Sequence, residues 1–241
     1  MTTPLKYPLG IQTFSEIREE NYLYVDKTGY IYDLITTGKV YFLSRPRRFG
    51  KSLLISTFEA LFSGQKDLFE GLDICETDCD FLTYPIAKLE FSQDEFRTAD
   101  SLRDYIYTAV DDIAQRYDVE LTKPNYSQRF GELISKLHDK TGQKVVLLVD
   151  EYDKPILNNL NKPVLEEIKQ VMSALYSVIK PLDPHLKFVF ITGVSKFAKI
   201  SVIMPMDGRY PENAGSSLQG SGMNSLTDIS MERQFATLCG I

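Results

Sequence analysis

The stretch Ser44–Leu54, SRPRRFGKSLL, follows an apolar and aromatic run, Val40–Leu43, and ends as half of a phosphate-binding signature. The P-loop pattern G-x-x-x-x-G-K-[ST] is met at Gly50, Lys51 and Ser52, while its first glycine falls on Arg45. In such a loop, backbone N–H groups and a helix N-terminus converge on phosphate oxygens. A lysine supplies positive charge and a hydroxyl ligates Mg2+. Gly50-Lys51-Ser52 sits where this requires, between an apolar run and the amphipathic stretch LLISTFEALF. Arg45 and Pro46 alter the approach to the loop, because arginine resists positive φ and proline donates no N–H. The strongest donors, at the Gly-Lys-Ser end, are kept. Taken alone, the stretch reads equally as a basic strand-to-helix turn.

A second signal is VVLLVDEYD, Val145–Asp153. An aspartate at the end of a hydrophobic strand is the Walker B position, which holds Mg2+, and a glutamate after it can polarise the attacking water. Asp150 and Glu151 fill both places. An acidic strand end is common by itself, but two half-signals in the right order, each on its own apolar strand, point together to nucleotide binding. In FVFITGVSKF, Thr192 and its neighbour Ser195 follow another apolar run. Thr192 suits the orientation of a water; a threonine ending a strand and a serine capping a helix are the alternative.

Three runs read as strands buried on both faces: Lys39–Leu43, Lys144–Asp150 and Leu186–Thr192, with Pro85–Ser92 as a fourth. Helical patterns lie at Ser52–Phe62, Asp100–Arg116, Ser127–Lys140 and Leu165–Ile179, so strand and helix alternate. That order implies right-handed crossovers and an α/β, doubly wound, mainly parallel sheet. Residues 1–38 read as a lead-in, a short extended piece and then a helix. Met204–Gly222 is rich in Gly, Ser, Pro and Asn, and is expected to be a flexible insertion.

The 241 residues suit one large domain. A net charge of −6 argues against a surface built throughout for nucleic acid, though Arg45, Arg47 and Arg48 form a local basic patch. No apolar run approaches the roughly 20 residues of a membrane span, and the N-terminus lacks a signal-peptide pattern, so a cytoplasmic protein without a membrane partner is expected. Cys75, Cys79 and Cys239 do not suggest a disulfide framework. The two histidines, His138 and His185, stand far in sequence from the cysteines, which leaves a Cys-based zinc site short of ligands.

YVDKT (Tyr24–Thr28), RPRRFGKS (Arg45–Ser52), LLVDEYDKPI (Leu147–Ile156), TGVSKF (Thr192–Phe197) and LTDIS (Leu226–Ser230) together resemble the AAA-ATPase-like family of bacterial proteins, over nearly the whole chain. Arginine in place of the first loop glycine is what that family itself carries. The resemblance implies a P-loop NTPase fold of the additional-strand type, with ATP and Mg2+ as cofactors. It implies Lys51 and Ser52 on phosphate and Mg2+, Asp150 in the Mg2+ shell, Glu151 as the catalytic carboxylate, and Thr192 on a strand between the two motif strands. Arg48, Phe49, Gly50 and Leu53 complete the candidate nucleotide contacts. The chain differs from the family in the Met204–Gly222 insertion and in stopping before the nuclease-like domain that commonly follows, so no nuclease activity is expected. ATP hydrolysis driving a conformational change is the leading reading, and a nucleotide-gated binding module the alternative. A homo-oligomer, and a protein or DNA partner met through Arg45, Arg47 and Arg48, remain open as assemblies. Adenine rather than guanine also comes from the resemblance, since NLNKP, Asn159–Pro163, is the nearest approach to a guanine-reading pattern and reads better as a loop.

Overall fold

A computed structural model describes residues 5–194. Expectations that fall on Ser195, Met204–Gly222, the LTDIS motif and Cys239 lie outside the described residues. Four parallel strands, β1 (Val40–Ser44), β2 (Ile86–Glu90), β3 (Val145–Asp150) and β4 (Leu186–Gly193), form one sheet in the order β1-β4-β3-β2. Around it run α1 (Phe14–Glu19), α2 (Thr28–Thr37), α3 (Lys51–Phe62), α4 (Ala99–Arg116), α5 (Tyr126–Thr141), a single turn α6 (Lys154–Leu157) and α7 (Leu165–Ser177). The α/β, all-parallel architecture matches the alternating pattern of the sequence.

Every residue of β3 is buried, as a continuous apolar run demands. Because side chains alternate across a strand, Val145, Leu147 and Val149 enter a core with α4, α5 and α7, while Val146 and Leu148 enter the opposite core with α1, α2 and α3. Phe58 fixes α3 on that second face, with its ring centroid 5.0 Å from Phe188 and 4.7 Å from Phe190 of β4. The helix that follows the Lys51 loop is therefore anchored directly to the strand that carries Thr192.

The lead-in differs from its sequence reading by one element. Helix α1, with Phe14 and Ile17 buried, precedes α2; at six residues it is too short to display helical periodicity. The YVDKT motif has a structural task here. The Asp26 carboxylate accepts hydrogen bonds from Thr28 N (2.8 Å), Thr28 Oγ1 (2.7 Å) and Asp73 N (2.7 Å), and Thr28 Oγ1 accepts from Ile74 N (3.0 Å). The start of α2 is thereby stitched to the 3-10 turn Asp73–Glu76.

Helix α4 begins with a reciprocal capping box between Thr98 and Ser101. On α5, the Glu132 carboxylate, only 10% exposed, gathers Thr122 N (2.9 Å), Thr122 Oγ1 (2.8 Å), Lys123 N (2.9 Å) and Lys136 Nζ (3.0 Å). Burial pulls its pKa upward, but the hydrogen bonds from Lys123, Thr122 and Lys136 outweigh burial and hold it at about 2, below the ordinary 4.5. Glu132→Gln should cost about 1–2 kcal/mol near neutral pH. Because the folded pKa is depressed, this stabilisation is present above about pH 4.5 and is lost as pH falls through about 2. Urea denaturation of both proteins across this range should show two stability curves that converge toward the acid end.

Candidate nucleotide site

Parallel strands bring their carboxyl ends to one edge, where ligands of open α/β sheets bind. Register puts Leu43 beside Thr192, Ser44 beside Gly193, and Glu90 beside Asp150. Strand β4 thus separates the strand that leads into the Lys51 loop from the strand that ends in Asp150.

The loop leaves β1 with Arg45 N donating to Gly193 O at 3.1 Å. Its left-handed positions are Arg48, at φ 69°, and Gly50, at φ 71°. Arg45 does not need the conformation for which a first glycine would be suited, which explains how arginine is tolerated there. Arg47, Arg48 and Phe49 are exposed, and Gly50 is the N-cap of α3. The cap has no side-chain hydrogen bond and the first turn has no acidic residue, so the positive end of the helix is left for an outside anion. Ser52 and Leu53 are half-buried in that turn, Leu53 packing against the core.

Lys51 is 5% exposed. Its ammonium donates to Pro46 O at 3.0 Å, and no carboxylate among the described residues lies within ion-pair distance of it. A buried cation satisfied only by a carbonyl is costly unless an anion arrives. Proline's missing N–H does not matter here, since its carbonyl is what the loop uses.

Asp150, 3% exposed, receives the hydroxyl of fully buried Thr192 at Oδ1, and Glu151 N donates to the same oxygen at 3.0 Å. Glu151 N also approaches Thr192 Oγ1 at 3.3 Å. Directly after the strand, Glu151 takes φ 51°, a left-handed conformation unusual for glutamate, the kind of local strain that collects at functional sites. Tyr152 N then donates to Thr192 O at 3.0 Å, so β3 and β4 stay tied beyond the last ladder pair.

Several residues the sequence reading did not single out belong to this edge. Lys154 Nζ is 3.4 Å from Glu151 Oε2 and donates to Ser92 O at 2.8 Å; the DKP that follows the acidic pair was its only signal. Asp153, buried, accepts Val194 N at 2.9 Å. Gly193 allows a close approach, since a Cβ there would stand 2.4 Å from the Tyr152 ring and 2.9 Å from Asp153 Oδ1. Under these lies Tyr176, fully buried, with no hydrogen-bond partner for its hydroxyl among the described residues. Burial, with Tyr152 and Asp153 nearby, pushes its phenol well above the ordinary range. Arg47, Ser92, Glu95, Glu151 and Lys154 line an open cleft of about 530 Å³. Asn159 is buried, donating to Phe96 O (2.9 Å) and Pro155 O (2.8 Å), so NLNKP is indeed a loop, held by its asparagine.

The sequence matches the family described as "AAA-ATPase_like: Predicted AAA-ATPase" over residues 8–203. The chain belongs to this AAA-ATPase-like family. It is 42% identical, over 237 residues, to a protein of Azotobacter chroococcum mcd 1 named "Uncharacterized protein in vnfD 5'region". The match takes in 98% of this chain and 43% of that relative, so the chain spans under half the relative's length. Membership of a predicted AAA-ATPase family suggests ATP binding, and the Lys51 loop and Asp150 lie on the same carboxyl edge of the sheet, on either side of β4. Among the described residues no helix is long and apolar enough to cross a membrane.

Thr192→Val keeps shape but deprives Asp150 of its hydroxyl donor and Glu151 N of an acceptor. It should destabilise the fold by about 1–3 kcal/mol, with Thr192→Ser costing less. Guanidinium denaturation of the three proteins measures this.

Proposed function

We propose that this chain binds ATP with Mg2+ and hydrolyses it. The observation that carries the reading is Lys51, a buried ammonium without an anionic partner among the described residues, at the head of an uncapped helix and on the same sheet edge as Asp150 and Glu151. Phosphate oxygens are suited to complete it. The oxygen donors nearby, Ser52 and the carboxylate of Asp150, are the hard ligands Mg2+ prefers. Mg2+, when bound, neutralises charge on the phosphates.

The roles of the chain's own groups follow from their positions. Lys51 and the first amides of α3 hold phosphate. Arg48, Phe49, Gly50 and Leu53 shape the loop around it. Asp150, oriented by Thr192 and Glu151 N, would hold the metal. Glu151, adjoining Asp150 and reaching the cleft, takes the proton of an attacking water, and Thr192 sets the turn that aims it. The strand order, with β4 between β1 and β3, supports the additional-strand type of P-loop fold.

One observation favours the alternative of a nucleotide-gated module with little turnover. Glu151 is held by Lys154, itself anchored to Ser92, so the carboxylate must leave an ion pair before it can act as a base. Arg47, on the same cleft, is the candidate for transition-state charge or for a protein or DNA partner.

Lys51→Ala should bring the affinity for a fluorescent ATP analogue below detection. Glu151→Gln should keep that affinity while phosphate release falls by roughly 10²–10⁴, the usual worth of a general base. Both are read with Mg2+ and with chelator. Equal Mg2+-dependent release from parent and Glu151→Gln would remove the catalytic assignment, and binding without release by the parent would select the gated module.

A further inference from the structure

The chain's two histidines, separated by 47 positions, meet in the fold. His138 is in the last turn of α5, and His185 ends the 3-10 turn that leads into β4, so the pair sits at the end of the sheet away from the Lys51 loop. Their Nδ1 atoms are 3.0 Å apart and their rings are inclined at 82°. Asp139 is beside them, and one ligand atom from each of the three residues lies within 4.8 Å of the others.

A hydrogen bond between the two imidazoles accounts for the distance and leaves the exposed Asp139 carboxylate outside it. A shared metal accounts for all three. Two nitrogens bound tetrahedrally to Zn2+ at about 2.0–2.1 Å stand about 3.3–3.4 Å apart, so the two rings need part by only a few tenths of an ångström to admit the ion. The surroundings also suit a cation. The C-terminal end of α5 carries the negative end of the helix dipole, and two lysines of this end are paired, Lys140 with Asp118 at 2.8 Å and Lys39 with Asp183 at 2.7 Å.

We propose that His138, His185 and Asp139 form a site for a borderline transition-metal dication of the Zn2+ class, with a coordination position left to water. Imidazole ligands select such ions over Mg2+, which keeps this site chemically separate from the proposed nucleotide site. The bound ion ties the end of α5 to the start of β4.

The test uses the full chain, stripped with chelator and kept in saturating Mg2+ so that oxygen sites are filled. Zn2+ is then titrated by calorimetry, and melting is followed with and without it. The parent should bind one Zn2+ and melt at a higher temperature when loaded. His138→Gln and His185→Gln should each weaken Zn2+ binding at least about tenfold and lose the metal-dependent rise, with metal-free melting close to the parent's. Asp139→Asn should weaken binding less, and Cys75→Ser with Cys79→Ser should leave it unchanged. If a glutamine variant does not fold, visible absorption of the Co2+-loaded parent decides, because nitrogen and oxygen ligands give no thiolate charge-transfer band. No Zn2+-dependent rise in the parent, a thiolate band with Co2+, or binding lost in the cysteine variant but kept in both histidine variants would overturn the proposal.

Discussion

The hydrogen bond from Thr192 to Asp150 is the constraint from which the candidate site follows. A carboxylate almost sealed from water needs donors close by, and Asp150 finds them in a neighbouring strand and in the next amide of its own chain. That requirement fixes β3 against β4 in one register, and a slip by one residue would turn every side chain of either strand to the wrong core. Directly after Asp150 the chain turns at Glu151, whose backbone is left-handed and whose amide donates to the same carboxylate oxygen as Thr192. Strand β1, paired with the other edge of β4, delivers the Lys51 loop to the same place.

Much of this was legible in the sequence because its elements are strongly patterned. The runs Lys39–Leu43, Lys144–Asp150 and Leu186–Thr192 read as strands buried on both faces, and α3, α4, α5 and α7 agree with their periodic stretches to within two residues at each end, whereas the single turn α6 had no such stretch. Lys51, Asp150 and Thr192 were visible as strand-end and helix-start residues. What sequence could not reach was set by distance along the chain. Lys154 meets Ser92 from 62 positions away, and His138 meets His185 across β3, α6 and α7. Such pairs have no local signal. Helix α1 was missed for the opposite reason, being too brief for periodicity to register.

The substitution at the first loop glycine has a backbone explanation. The loop places its left-handed turns at Arg48 and Gly50, so the segment Arg45–Pro46 runs in conformations open to any residue, and proline's fixed φ stiffens it. The Arg45 amide stays bonded to Gly193 O, and the loop carries three arginine side chains along its length. Flexible, singly charged side chains stand where a glycine-rich cradle would present only backbone.

The tight seat of Gly193 gives the site a mechanical neighbourhood wider than its polar groups. The Tyr152 ring that presses on it is also 5.0 Å from Phe42 of β1 and 6.2 Å from Tyr176 of α7, each meeting it edge-on. The three rings form a transverse column from the strand that feeds the loop, past the segment bearing Glu151, to α7. Close-packed interiors transmit strain, so a change of side-chain volume at Tyr176 on α7 is felt at the Tyr152 ring and at the close approach of Gly193 beside it.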